Sequence, residues 1–151
     1  MPPFTPYRSE AEIEKVVQGF ETCAYTPEEF FHARHLTVAA WYFLKLDTKT
    51  AEERMRAGLL KFIRHHGKNA YHETITEFWL RLVNHRVCQA ETSRDSVALV
   101  NEIVASLSDK NLIYKHYSRK LLESPDAKAG RVAPDLVPMP PSMRDRTSPI
   151  N

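Results

Sequence analysis

Apolar residues recur at intervals of three and four along most of the first 108 positions of the chain. That spacing places them on one face of an α-helix and predicts helices rather than strands. Three helix starts are marked by a hydroxyl residue that is followed three positions later by glutamate, at Ser9, Thr26 and Thr50. The pattern therefore predicts five main helices, near residues 10–22, 27–46, 51–66, 70–90 and 94–108.

Single residues mark further helix boundaries. Pro27 suits the first turn of the second predicted helix, because its fixed φ is already helical. Gly67 is expected to end the third helix, since glycine readily takes the left-handed conformation that follows a helix, and Asn69 is expected to cap the fourth. Beyond Asp109 the periodicity weakens, and two short helices are predicted over residues 112–117 and 119–123.

The C-terminal segment has a different composition. From Ala129 onward the chain is rich in proline and has almost no periodicity, so we expect it to be extended rather than to form a core of its own. We expect this segment either to lie across the helices through Leu136, Val137 and Met139 or to be disordered at its end. The predicted fold class is all-α, a single-domain helical bundle over residues 9–128, preceded by a flexible N-terminus over 1–8 and followed by a proline-rich extended tail over 129–151.

Composition narrows the class of protein. Hydrophobic residues make up 42% and charged residues 26% of the chain, and the net charge of +2 is spread rather than massed, which argues against a nucleic-acid-binding surface. The longest apolar run, residues 38–44, is too short to cross a bilayer, and the first six residues lack the pattern of a signal peptide. Cys23 and Cys88 belong to no paired motif, which favours reduced thiols. We therefore expect a cytoplasmic protein with no nucleic-acid or membrane partner.

Histidines fall on the apolar faces of the predicted helices. On the second helix, His32 shares a face with apolar residues and His35 lies one turn further on. Glu28 precedes His32 by one turn and can reach the same space, whereas Glu29 is already explained by the helix cap. Two imidazoles three residues apart on one helix can chelate a single metal ion.

The fourth helix repeats this arrangement. His72 and Thr76 fall on its apolar stripe, and Glu73 flanks that stripe. The third helix adds His66 in its last turn, where a cation is also favoured by the helix dipole. Because polar groups buried together must satisfy one another or bind something, the sequence predicts a pocket in the common core. Four residues are predicted in its wall beside the other histidines: His66, Tyr71, Thr76 and Trp79.

These residue types favour a mononuclear metal site. The predicted ligands are His32, His35 and His72, and Glu28 or Glu73 would act as a further ligand or as a general base. The metal would be a single divalent ion of Zn, Fe, Mn or Cu. A dinuclear carboxylate site is not predicted, since the chain holds one Glu-x-x-His motif where such a site needs two. Without a metal, His72 beside Glu73 still permits general-base chemistry.

Three segments together resemble a family of small, mainly bacterial helical proteins: residues 31–36 (FHARHL), 71–76 (YHETIT) and 134–140 (PDLVPMP). The resemblance runs from the second helix to the tail. It implies an all-helical fold with FHxxHL, YHETIT and PDLxPxP as signature segments, and it implies no reaction. Many members carry a second histidine where this chain has Ala33. If that histidine is a ligand in those members, the site of this chain is altered or incomplete.

The preferred hypothesis from the sequence is a metal-dependent enzyme, or an inactive relative of one, that acts on a small organic molecule in the bundle core. The first alternative is a non-enzymatic module that binds or senses a small molecule and uses the histidines as hydrogen-bond partners. The second alternative is a helical interaction or scaffold protein with structural histidines. The expected partner is a small molecule. A homodimer is left open, although the pattern shows no surplus apolar face.

Overall fold

The helix that is apolar on all sides lies at the centre of the fold. The computed structural model describes residues 4–91 and 94–139. In it, α2 (His32–Lys45) is buried at every position from Leu36 to Phe43, as expected of a helix that is hydrophobic all round. It packs against four neighbours: α1 (Glu10–Glu21), α3 (Thr48–His65), α4 (Glu73–Gln89) and α5 (Ser96–Ser106).

Shorter elements complete the described chain. After α5 come a 3-10 turn over Lys110–Lys115 and two short helices, α6 (Arg119–Leu122) and α7 (Pro125–Ala129). The all-α prediction is confirmed, because the described residues contain helices and no strand. Helix α7 was not predicted, although Ser124 caps it and Pro125 occupies its first turn, which is a common way to start a helix. Among the described residues, no helix is long and apolar enough to span a membrane.

Two predicted helix ends are confirmed. The Ser9 hydroxyl accepts a hydrogen bond from the Glu12 amide at the start of α1. Gly67 follows α3 with a φ of +67°, a conformation that only glycine adopts readily. The amide of Lys68 then reaches back to the carbonyl of Ile63 at 2.9 Å, which is the bonding pattern of a glycine-terminated helix.

The predicted start of the second helix at residue 27 is wrong. Thr26 and Glu29 do form a capping box, with their two hydrogen bonds at 3.1 and 2.9 Å, but it closes only an isolated turn. Phe30 then inserts into the core and stacks on Phe20 with the ring centroids 4.7 Å apart. Burial of Phe30 breaks the helical path, so that α2 begins at His32.

Two other predicted caps are also wrong, for a shared reason. Asp47 caps α3 by accepting from the Thr50 amide, so that α3 begins three residues before the predicted position. His72 caps α4 in place of the predicted Asn69. In each case another side chain near the helix start supplies the acceptor that the first free backbone amides need.

The C-terminal segment is held by hydrogen bonds and by two of its apolar side chains, Val132 and Met139. The side chains of Leu136 and Val137 are 55% and 52% exposed, so the prediction that these side chains pack on the helices is wrong. Their backbones nevertheless bond to His116, through the Leu136 amide and the Val137 carbonyl, and Met139 does pack on the core. The hydroxyl of Thr74 joins the segment to α4 by donating to the Gly130 carbonyl at 3.0 Å. Tyr117 donates to the Val132 carbonyl at 2.7 Å. Residues 140–151 of the predicted tail lie outside the described residues.

Candidate functional site

A cavity of about 360 Å³ lies between the first half of α2, the middle of α3 and the start of α4. Its wall is mainly aliphatic, and polar side chains are contributed by α2 and by the segment that enters α4. Six residues that the sequence singled out lie in this wall together: His32, His35, Tyr71, His72, Thr76 and Trp79.

His32 is the first residue of α2 and is tied to the far end of α5. Its Nε2 donates to the carbonyl of Leu107 at 2.9 Å, a residue that terminates α5. The ring lies edge-on to Trp79, with the centroids 4.6 Å apart. Burial lowers the pKa of His32 below its ordinary value, because the charged imidazolium loses its hydration. The side chain is therefore neutral near pH 7, with its proton on Nε2.

His35 follows one turn later and is still more strongly desolvated. Its ring lies on Phe30, with the centroids 4.1 Å apart. Burial, with a smaller contribution from repulsion by His32, lowers the pKa of His35 to about 4, against the opposing effect of a hydrogen bond to the Phe30 carbonyl. A neutral imidazole with one donating nitrogen keeps a lone pair on the other nitrogen.

Both ring nitrogens of His72 form hydrogen bonds at the N-terminus of α4. Nδ1 accepts from the amide of Ile75 at 3.1 Å, and Nε2 donates to the carbonyl of Leu122 at 2.6 Å. Both bonds form together only when the proton is on Nε2. In this arrangement His72 has no lone pair left for a metal ion.

Tyr71 and Glu73 belong to a charged network that borders the cavity. The Tyr71 hydroxyl donates to Glu73 Oε1 at 2.5 Å. Burial, followed by this contact with the carboxylate, raises the pKa of Tyr71 to about 12. Arg56 holds Glu73 and Glu77 with N–O distances of 3.1 and 2.5 Å. Glu73 therefore orients the Tyr71 hydroxyl. The contacts of its carboxylate with Tyr71 and Arg56 favour this positioning role over the predicted role of Glu73 in proton transfer.

Like Glu73, two further predicted site residues lie outside the cavity wall. Glu28 is exposed in the turn before α2, because that turn is not part of the helix on which it was expected. His66 terminates α3 and packs on Phe62, with the ring centroids 4.6 Å apart. Its Nε2 is buried and has no hydrogen-bond partner within the described part of the chain.

The predicted three-histidine metal site is not assembled in this structure. Across residues 4–91 and 94–139, no group of three His, Cys, Asp or Glu side chains is placed to hold one ion. His32 and His35 do share the cavity wall, but both ring nitrogens of His72 are hydrogen bonded. Metal binding stays a prediction from the sequence.

Other important residues of the site were not singled out by the sequence pattern. Arg56 organises the network beside Tyr71, and it also contacts Glu52 one turn earlier on α3. The available signal was the four-residue spacing of Glu52 and Arg56 on α3, which Glu77 and Arg81 repeat on α4 as a second helical ion pair. The aliphatic wall from α3 consists of Met55, Leu59 and Ile63, and these three do follow the apolar stripe of the third predicted helix.

Comparison with known proteins adds no assignment. The chain matches no protein-family model, no curated protein and no solved structure.

Proposed function

We propose that this protein binds a small, largely apolar organic molecule in the cavity between α2, α3 and α4. The observation that carries the proposal is the cavity itself, with its volume of about 360 Å³ and its mainly apolar wall. Protein interiors are close-packed, and voids larger than a water molecule are few. A concave, apolar space with a few convergent polar groups is the usual form of a small-molecule site.

The cavity wall combines apolar residues with a few polar ones, and this combination suits such a ligand. Leu59, Ile63 and Val83 offer apolar contact, while His32, His35 and Thr76 supply polar atoms. Apolar contact provides most of the binding free energy, and a small number of placed polar atoms fixes orientation. This division supports binding, the first alternative that the sequence left open, more directly than it supports metal-dependent turnover.

A cavity-filling substitution tests the proposal. Ala39 lies in the wall and is almost fully buried, so Ala39→Leu would occupy the space that a ligand needs. The matched control is Ala57→Leu, at an exposed position of α3. Calorimetric titration with 1-methoxynaphthalene and 1-naphthol, two uncharged bicyclic probes, should show binding to the wild type and to Ala57→Leu.

In Ala39→Leu the same titrations should show no binding, while the melting temperature is retained. Retention of fold is expected, because an added side chain that enters a cavity restores packing rather than crowding a filled core. Failure of both probes to bind the wild type would contradict the proposal. Equal binding to Ala39→Leu would place the site elsewhere on the protein.

A further inference from the structure

We infer that the cavity selects a neutral ligand that carries a hydroxyl or N–H donor, such as an alcohol or a phenol, over ethers and carboxylates of the same shape. The inference rests on the proposed function and adds the chemical class of the ligand. It follows from which hydrogen-bonding atoms of the wall are already used within the protein.

Two histidines of the cavity wall each keep a ring nitrogen that can accept a hydrogen bond from a ligand. Nε2 of His32 is committed as a donor to Leu107, and its Nδ1 forms no hydrogen bond with any described residue. The ring of His35 lies on Phe30, and burial lowers its pKa to about 4, so the neutral imidazole keeps a lone pair on one nitrogen. His72 has neither a donor nor an acceptor to spare.

The hydroxyl groups of the wall have also donated their hydrogens. The Thr76 hydroxyl donates to the His72 carbonyl at 2.9 Å. The Tyr71 hydroxyl donates to Glu73 at 2.5 Å. Each oxygen keeps lone pairs that can accept a further hydrogen bond. Three polar side chains of the wall, His32, Tyr71 and Thr76, therefore offer acceptor atoms and have already donated their hydrogens within the protein.

Trp79, a further residue of the cavity wall, offers a hydrogen-bond donor instead of an acceptor. Its indole N–H is a donor only, and the ring lies edge-on to His32. A hydroxyl group matches this pair of residues, since its hydrogen can be given to a histidine lone pair while its oxygen accepts from the indole. An ether oxygen can accept, but it cannot satisfy the imidazole.

The charges around the cavity disfavour an anionic ligand. As far as the described residues form it, the wall contains neither lysine nor arginine, so a carboxylate would enter an apolar space without a counter-ion, which is strongly unfavourable. Glu73 lies directly behind Tyr71 and adds negative charge at that edge. The guanidinium of Arg56 that offsets it is already shared between Glu73 and Glu77.

Three probes of nearly equal shape separate these cases: 1-naphthol, 1-methoxynaphthalene and 1-naphthoate. Calorimetric titration of the wild-type chain should give a Kd for 1-naphthol that is lower than that of the ether by roughly tenfold to a hundredfold, the effect of leaving a buried acceptor unpaired. The naphthoate should not bind. Equal Kd values for the naphthol and the ether would overturn the inference while leaving the proposed function intact, as would preferred binding of the naphthoate. If none of the three binds, the proposed function fails and the inference fails with it.

A variant assigns the effect to His32. In His32→Phe, the ring keeps nearly the shape of the imidazole but has no acceptor atom. This variant also loses the bond to Leu107, so its cooperative unfolding is checked first. The Kd of the ether divided by the Kd of 1-naphthol should fall to about one third or less of its wild-type value, while binding of the ether stays unchanged. The control is His66→Phe, since His66 lies outside the wall, and there this quotient should stay as in the wild type. An unchanged quotient in folded His32→Phe would remove His32 as the recognising acceptor.

Discussion

The imidazole of His72 joins the start of α4 to the end of α6, because its Nε2 donates to the carbonyl of Leu122 at 2.6 Å. The same ring caps α4 through Nδ1 and the amide of Ile75. One side chain thus orders the segment that carries Tyr71 and Thr76 into the cavity wall. A histidine that looked like a metal ligand in the sequence serves here as a structural anchor.

Substitution of His72 should therefore reduce stability in two separable steps. His72→Asn keeps a side-chain oxygen for the helix cap and loses the bond to Leu122, whereas His72→Ala loses both. We expect urea unfolding to show a loss of about 1 kcal/mol for the asparagine variant and about 2–3 kcal/mol for the alanine variant. The control is exposed His65→Ala, which should change little. Equal losses for the two His72 variants would show that the capping bond contributes nothing.

Stability should also depend on pH through His35. Its pKa is about 4 in the folded chain and ordinarily 6.5, so the unfolded chain binds more protons between these values. The free energy of unfolding is then greatest above pH 6.5 and falls as the pH drops towards 4, by up to about 3 kcal/mol. The pKa of neighbouring His32 is lowered in the same direction.

The variant His35→Gln cannot titrate in this range, so it should show a shallower decline. Urea unfolding at pH 7, 6, 5 and 4.5 measures the slope, with exposed His65→Gln as the control that keeps the wild-type slope. A His35→Gln variant with the slope of the wild type would remove His35 as the source of the pH dependence.

The periodicity of apolar residues predicted the five main helices, because each buries a stripe that repeats with the helical period. It failed at the start of α2, where tertiary burial of Phe30 overrides an intact local capping box. It also pointed to six of the wall residues, since inward-facing positions on packed helices converge. The partners of those residues depend on sequence-distant contacts, such as His32 with Leu107 and His72 with Leu122, and no local pattern reports them.

Elemental analysis addresses the metal predicted from the sequence. Both ring nitrogens of His72 are hydrogen bonded. We therefore expect the metal content of the wild-type protein, untagged and purified without chelator, to equal that of His72→Ala. The comparison uses His32→Ala and His72→Ala, each checked for a cooperative unfolding transition. Near-stoichiometric Zn, Fe, Mn or Cu that disappears in both folded variants would restore the three-histidine site and overturn the assignment of the cavity to a metal-free ligand.

The C-terminal segment should brace the helices through Thr74. This residue is buried, and its hydroxyl joins both Gly130 and Val132 to α4, with distances of 3.0 and 3.2 Å. Thr74→Val removes both hydrogen bonds and should therefore lower the free energy of unfolding by about 1–3 kcal/mol, measured by urea unfolding. The control is Thr22→Val, at an exposed position, which should change it much less.

The same segment should not cover the cavity, because the described residues that line the wall all lie between positions 32 and 83 of the chain. Removal of residues 130–151 should lower the free energy of unfolding at least as much as Thr74→Val, since it deletes both the Gly130 carbonyl and the Val132 amide that bond to this hydroxyl. Binding of 1-naphthol to the folded truncated protein should nevertheless match the wild type in calorimetric titration. Loss of 1-naphthol binding with an unchanged free energy of unfolding would instead show that this segment covers the cavity, because a segment that only stabilises the fold would change the free energy of unfolding.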